Sequence, residues 1–529
     1  TEEHPSARPT VSDEREHVLY YVSRVLYRVA AALHEHLDAA LAEAGVEPLG
    51  DDDVPILLRP GSWVGGDMDG NPNVDADTLR ATLARHRELA LTAHLDEVRT
   101  LAGQLTQSSS RVAWSDAISR RLEEHAGRFP EVAQAVPARY ADMGYRTFCT
   151  LVAARIEATL ADDPRGYPGP DALAADVAAL AASLEENQGE HAGLFGVRRL
   201  LRRVRTFGFH LAVLDVRQDA RELREVVAGI LQDPRWPERP AEERVERLHQ
   251  LLEAEPPPAD PPPGPDSERI RTTLDVFAAI REGRARHGPD ALGTYIVSMA
   301  KDVDDVLTVL WLATAAGLGP ADDIPLDVTP LFETVPDLER AEGVLQRLFA
   351  DPVVGPHLQR RGNRQVVMVG YSDSNKDGGI AAARWALHRG LQGMARAATR
   401  HGDPHRLPRP GRDGLAGRGL GAPCGLGAAS GLPRGPAPPH GAGGGHRRPV
   451  RAGTHRRTDA GAHARLHRAA HRHGRRGSGS RPVAPGGRHA GRGGEGGVPG
   501  PGPCRAPLHR VLPGRHPHRC HRAHGHRFE

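Results

Sequence analysis

Four short apolar runs in this sequence each end in a polar turn that carries reactive side chains. The first ends in Asp215-Val216-Arg217-Gln218 and the second in Ser298-Met299-Ala300-Lys301. The third ends in Phe332-Glu333-Thr334, and the fourth in Gly370-Tyr371-Ser372-Asp373-Ser374-Asn375-Lys376-Asp377-Gly378-Gly379. Two carboxylates on neighbouring turns, Glu333 and Asp373, can hold Mg²⁺ or Mn²⁺, with water and substrate oxygens completing the shell. Taken alone, such carboxylates are more often helix caps or salt-bridge residues than metal ligands. Arg217 can grip a phosphate or carboxylate in a bidentate manner. Of the 69 Lys and Arg residues only two are lysines, Lys301 and Lys376, and both lie in these turns. Lysine can titrate and act as acid or base, whereas arginine keeps its proton.

A fifth segment, Gly61-Ser62-Trp63-Val64-Gly65-Gly66-Asp67-Met68-Asp69-Gly70-Asn71-Pro72-Asn73, follows the apolar run Ile56–Leu58. Its glycines, proline and aspartates predict a tight loop, either an anion cradle or a structural turn. It lacks the terminal bidentate glutamate of a calcium loop.

The elements that must position these residues follow from periodicity. Ser12 is the expected cap of a first helix with Asp13 and Glu14 in its first turn. Its apolar stripe is Val18, Tyr21, Val22, Val25, Leu26, Val29, Leu33 and Leu37. Amphipathic helical runs continue through residues 78–190 without a strand signal. Strands are expected at Phe209–Val216, Tyr295–Met299, Asp327–Phe332 and Val366–Val369, each followed by a helix: Glu222–Leu231, Val303–Ala316, Leu338–Phe349 and Ile380–Arg400. Repeated strand–turn–helix units predict a parallel sheet, and a barrel is its natural closed form. Barrel enzymes place their chemistry at the strand ends, where these residues fall. The seven prolines between Pro256 and Pro265 are read as a surface insertion.

Charge divides the chain. The net +2 combines residues 401–529, with 24 Arg, no Lys and five acidic residues (+19), with residues 1–400, where 45 basic residues face 62 acidic ones (−17). The tail is dominated by Gly, Pro, Arg and His, a composition that buries no core. The expected organisation is therefore a body over 1–400, mainly helical in 1–200 and strand–helix in 201–400, followed by a disordered low-complexity tail over 401–529. No apolar run reaches the roughly 18 residues of a membrane span; the longest candidate, Val306–Leu318, suits a buried helix. With no signal peptide and one cysteine in the body, Cys149, a cytoplasmic location is expected.

Taken together, Gly61–Asn73, Asp215–Gln218, Ser298–Lys301, Pro330–Thr334 and Val367–Gly379 resemble phosphoenolpyruvate carboxylase of the bacterial type. The resemblance implies a helix-rich (β/α)8 TIM-type barrel, incomplete in this chain, and a homotetrameric assembly. It implies carboxylation of phosphoenolpyruvate by bicarbonate to oxaloacetate and phosphate, an anaplerotic supply of the tricarboxylic acid cycle. Position by position, Glu333 and Asp373 become ligands of Mg²⁺ or Mn²⁺, Lys376 a catalytic lysine and Arg217 a catalytic and substrate-binding residue. Trp63 and Ser372 become substrate-binding. Met68 stands where the family more often has arginine.

Two further motifs of the family are expected elsewhere. A Thr-Ala-His-Pro-Thr-Glu motif with the catalytic histidine belongs upstream, because Arg8-Pro9-Thr10 with Asp13-Glu14 matches a stretch that follows it; His4 is therefore not that histidine. A Phe-His-Gly-Arg-Gly-Gly loop is due soon after residue 400. One synonymous codon choice for Leu407–Gly419, read one base out of frame, yields that loop, so the tail reads as a frameshifted translation. On this basis the chain as written is not expected to turn over. The alternatives are an inactive truncated remnant and a nucleic-acid-binding protein acting through the basic tail. The tail's single aromatic, Phe528, and its lack of zinc-spaced cysteines argue against the second. No membrane or nucleic-acid partner is expected.

Overall fold

The computed structural model describes residues 9–46, 55–254, 263–370 and 372–401. The proline-rich insertion lies mostly, and the basic tail wholly, outside the described residues, as does the loop expected after residue 400. The described residues all belong to one compact unit, Thr1–Leu432.

The chain opens with α1 (Val11–Tyr20), a π-helical stretch (Tyr21–Leu26) and α2 (Tyr27–Glu43). Thr10 caps α1, two residues before the expected Ser12. Its hydroxyl accepts from the Asp13 N–H at 3.2 Å, and the Asp13 carboxylate accepts from the Thr10 N–H at 2.8 Å. This reciprocal pair outcompetes a lone serine cap, and Asp13 and Glu14 still occupy the first turn. The expected apolar stripe is only partly inward. Leu19, Val22, Tyr27, Ala30 and His34 are buried, while Tyr21, Val25, Val29 and Leu33 are exposed. The π-helical stretch is wider than an α-turn, so it rotates everything after it away from a simple 3.6-residue phase.

A two-residue strand, β1 (Gly61–Ser62), precedes the helical layer: α3 (Ala76–Gln104), α4 (Asp116–Arg128), α5 (Pro130–Ala135), α6 (Gly144–Leu160), α7 (Pro170–Glu186) and α8 (Leu194–Phe207). α3, α4, α6, α7 and α8 share a core around Leu91, Phe148, Ile156, Leu180 and Leu201, and α5 packs in a smaller cluster with Phe129 and Leu151.

The sheet half follows as β2 (Val213–Asp219), α9 (Ala220–Leu231), α10 (Ala241–Glu253), α11 (Ser267–His287), β3 (Leu292–Ser298), α12 (Val303–Ala315), β4 (Asp327–Phe332), α13 (Val335–Ala350), α14 (Val354–Arg360), β5 (Met368–Val369) and α15 (Ser372–His401). β2 begins four residues later than expected, because Gly208 and Leu211 take positive φ and turn the chain; Phe209 packs into the helical core instead. α15 begins at Ser372, well before Ile380, and is interrupted at Gly379, whose φ of +74° and ψ of 165° are non-helical.

All five strands are parallel, in the order β1-β2-β3-β4-β5. Leu214 and Val216, Tyr295 and Val297, and Val328 and Phe332 alternate into the core beneath the helices. The opposite face carries Asp215, Arg217, Thr294, Thr329 and Glu333. Arg217 on β2 touches Glu333 after β4 although β3 lies between them. Such a contact requires the sheet to curl, so that side chains of alternate strands meet inside. The result is a helix-rich α/β fold built on a curled parallel half-barrel.

α12 shows how the helices are bound to this sheet. Every residue from Val303 to Ala313 is buried, as expected for a helix covered on all sides. Its Asp305 accepts from Arg224 of α9 at 2.5 Å, and its Asp304 accepts from Arg244 of α10 at 2.6 Å. Two buried charges thus find partners on two different helices, which sets their order around the sheet.

Candidate active site

The site is built on the carboxyl ends of β2 and β4. Side chains two residues apart on a strand share a face, so Asp215 and Arg217 both point to the concave side. The segment Gly61–Asn73 runs alongside β2 as a continuation of the sheet. The Arg217 N–H donates to the Gly66 carbonyl and the Met68 N–H donates to the Arg217 carbonyl, each at 2.9 Å. Only glycine permits this approach at position 66, where a Cβ would stand 2.2 Å from the Asp215 carbonyl oxygen. The expected loop is therefore partly an edge strand, held against β2 by its backbone.

The pairing brings two residues to the site that sequence reasoning did not assign to it, Asp67 and Asp69. Arg217 Nη2 donates to Asp69 Oδ2 at 2.6 Å and to Glu333 Oε1 at 3.2 Å, and Nη1 lies 3.8 Å from Asp67 Oδ2. The Asp-Met-Asp spacing, matching the two-residue spacing of Asp215 and Arg217, is the signal that marks them as strand-like and co-facial. Burial raises the Asp67 carboxyl above the usual carboxylate range; the Arg217 charge offsets this only in part. Arg217 Nε is buried without a hydrogen-bond partner. Met68 packs against the sheet core, so this position makes no anion contact.

Glu333 is 6% exposed. Its N–H and that of Thr334 donate to the Asp337 carboxylate at 3.3 and 2.9 Å, within the capping box of α13. Gly370 closes the other side: its N–H donates to the Phe332 carbonyl at 2.8 Å, and a Cβ there would stand 2.8 Å from Glu333 Cα. On the β3 loop the Lys301 N–H donates to Asp305 at 2.7 Å, and the Lys301 side chain is exposed. Lys376 lies on the first turns of α15 and is exposed. Trp63 is 44% exposed on the segment beside β2. The side chains of Ser372 and Asp373 lie outside the described residues, so the expected meeting of Asp373 with Glu333 does too. Arg217 and Glu333 are thus brought together, with Asp67 and Asp69 added. Among the described residues no three His, Cys, Asp or Glu side chains are grouped to hold a metal ion.

Comparison with known proteins adds the lineage. The phosphoenolpyruvate carboxylase family model matches residues 1–429. The phosphoenolpyruvate carboxylase of Xanthomonas campestris pv. campestris is 48% identical over 396 residues, covering 75% of this chain and 43% of that protein. That of Azoarcus sp. is 38% identical over 433 residues, covering 78% and 46%. That of Roseiflexus castenholzii is 34% identical over 444 residues, covering 80% and 46%. The chain spans less than half the length of these relatives. It belongs to the phosphoenolpyruvate carboxylase family.

Proposed function

We propose that this chain supplies one wall of a site that carboxylates phosphoenolpyruvate with bicarbonate, giving oxaloacetate and phosphate. The observation that carries this reading is the meeting of the Arg217 guanidinium with the Glu333 carboxylate at the carboxyl ends of strands separated by β3. The family match favours it over an inactive remnant or a nucleic-acid-binding protein.

In the reaction a bicarbonate oxygen attacks phosphorus and the bond from phosphorus to the enol oxygen breaks, leaving carboxyphosphate and the enolate of pyruvate. Carboxyphosphate splits into CO₂ and phosphate, and the enolate methylene carbon bonds to CO₂. Arg217 binds and orients a substrate anion through charge-assisted hydrogen bonds. Lys376 serves as a proton-bearing cation at the same mouth, Ser372 adds a hydroxyl, and Trp63 shields the substrate from water.

On this reading Glu333, a nearly buried carboxylate at a strand end, and Asp373 would hold a hard divalent cation. When bound, Mg²⁺ or Mn²⁺ supplies Lewis-acid stabilisation of developing oxygen charge. We further infer a full (β/α)8 barrel in the complete protein, a homotetramer and a cytoplasmic location. The division at residue 400, with a helical part to 200, belongs to the same reading.

The test is a chimera in which residues 9–400 replace the matching stretch of the Xanthomonas campestris relative. It should produce oxaloacetate in a coupled assay, dependent on bicarbonate and divalent metal, and Glu333→Gln should abolish this. Turnover untouched by Glu333→Gln would sink the site assignment.

A further inference from the structure

We infer that Gly379 is a positioning residue for Lys376: its backbone breaks α15 and holds the short segment carrying that lysine at the end of β5. This rests on the reading of Lys376 as a cation of the site.

α15 is two pieces of helix with separate seats. The longer piece, after residue 379, lies close against α13. A Cβ at Gly390 would stand 3.1 Å from the Leu338 carbonyl oxygen, and one at Gly393 would stand 3.0 Å from Glu342 Cβ. Arg396 Nη2 donates to Glu342 at 2.6 Å, and Ala386, Met394 and Ala397 enter the sheet core. The shorter piece, Ser372–Gly378, follows directly from β5, which pairs with β4. The Gly370 N–H ties that end to the Phe332 carbonyl, and Ser374 is buried. The angle between the two pieces is taken up at Gly379, whose φ of +74° is roughly 140° from the helical value. Were Gly379 helical, the two pieces would share one axis. With the longer piece fixed on α13, the lysine segment would then swing off the end of β5.

The need for glycine here is one of backbone alone. A Cβ at residue 379 would meet no atom within 4 Å, so crowding does not ask for glycine. The pairing of φ +74° with ψ 165° does, since that region is open essentially to glycine. Asparagine enters the left-handed region at a ψ near about 47°, far from this one. Gly378 supplies the contrast. It precedes Gly379 directly but has no positive φ, and a Cβ there would meet Ala382 Cβ at 3.2 Å and Val335 Cγ2 at 3.7 Å.

The experiment uses the chain's two lysines, Lys301 and Lys376. Reductive ¹³C-methylation of the full chain gives each one NMR signal, besides that of the amino terminus, and Lys301→Arg assigns them. Gly379→Ala should move the Lys376 signal by more than its linewidth and leave that of Lys301 in place. Gly379→Asn should do the same, and Gly378→Ala should move neither. In the chimera with the Xanthomonas relative, Gly379→Ala should lower kcat by about a hundredfold, the scale of a misplacement of roughly 1 Å, with KM changed less than about threefold. A Lys376 signal unmoved by Gly379→Ala overturns the inference. So does an equal movement of Lys301, which would mean general loss of structure, or an equal effect of Gly378→Ala, which would mean crowding. Unchanged kcat with a displaced Lys376 signal overturns it as well. If Lys376→Ala leaves the chimera fully active, the site reading itself falls, whatever the two signals do.

Discussion

The two ends of the curled sheet use the same chemistry in opposite proportions. At the carboxyl end one guanidinium, Arg217, is shared among Asp69, Glu333 and the more distant Asp67, and its Nε is unpartnered. At the amino end one carboxylate, Asp327 at the start of β4, is shared by two arginines. Arg361 Nε donates to one oxygen at 2.6 Å and Arg364 Nη2 donates to the other at 2.5 Å. Each Asp327 oxygen has its own donor, so this network is saturated and ties β4 to the segment leading into β5. At Arg217 the sharing runs the other way, with three carboxylates around one guanidinium. A buried node whose every oxygen has a donor serves stability, whereas several carboxylates gathered on one guanidinium are held at some cost to the fold.

The largest effects should separate the two ends by kind. In the chimera with the Xanthomonas relative, Lys376→Ala should lower turnover by about a thousandfold or more while the unfolding midpoint stays within error. Unfolding curves and the coupled assay on the same protein check this together. A midpoint that falls in step with activity would make Lys376 a structural residue.

The reverse is expected at the amino end. Asp327→Asn should destabilise the chain by about 2 kcal/mol in urea denaturation, because it leaves two arginines without their shared partner; their partial exposure keeps the loss below the fully buried case. Mn²⁺ affinity should not change.

The pH dependence should differ in sign. Burial raises the Asp327 carboxyl, but the hydrogen bonds and charges of Arg361 and Arg364 outweigh it and hold the group below its ordinary value. Its contribution is therefore full above the unfolded value near 3.8 and is lost as pH falls through the lower folded value. Asp67 is raised by burial, so its contribution runs the other way, present at low pH and lost as pH rises above 3.8. Denaturation at several pH values from 3 to 7 should show the acid slope flattened by Asp327→Asn and steepened by Asp67→Asn. Slopes of the same sign would remove the contrast between the ends.

The smallest effect concerns the exposed indole beside β2. Trp63→Ala should shift stability by no more than about 0.5 kcal/mol, because the side chain is half solvated. In the chimera it should raise the KM for phosphoenolpyruvate. An unchanged KM would remove Trp63 from the substrate side of the comparison.

Local periodicity and residue type made much of this molecule legible. The strand–helix alternation predicts α9, α12 and α13 and three of the five strands closely, and α15 apart from its early start at Ser372, because burial on a sheet face imposes a pattern of two and a helix one of 3.6. The seven-residue strand at β2 was displaced because a positive-φ turn at Gly208 and Leu211 leaves no mark in apolar content. The outward turn of Tyr21, Val25, Val29 and Leu33 was invisible for a similar reason: a π-helical stretch changes phase without changing composition. At the site, Arg217, Glu333 and Lys376 stood out by type and by position at strand ends. What only the tertiary structure decided is who meets whom. Curling the sheet carried Arg217 past β3 to Glu333, and backbone pairing at Gly66 and Met68 delivered Asp67 and Asp69. Those contacts join residues more than a hundred positions apart, and neither charge nor spacing along a chain specifies a distance across a curved sheet.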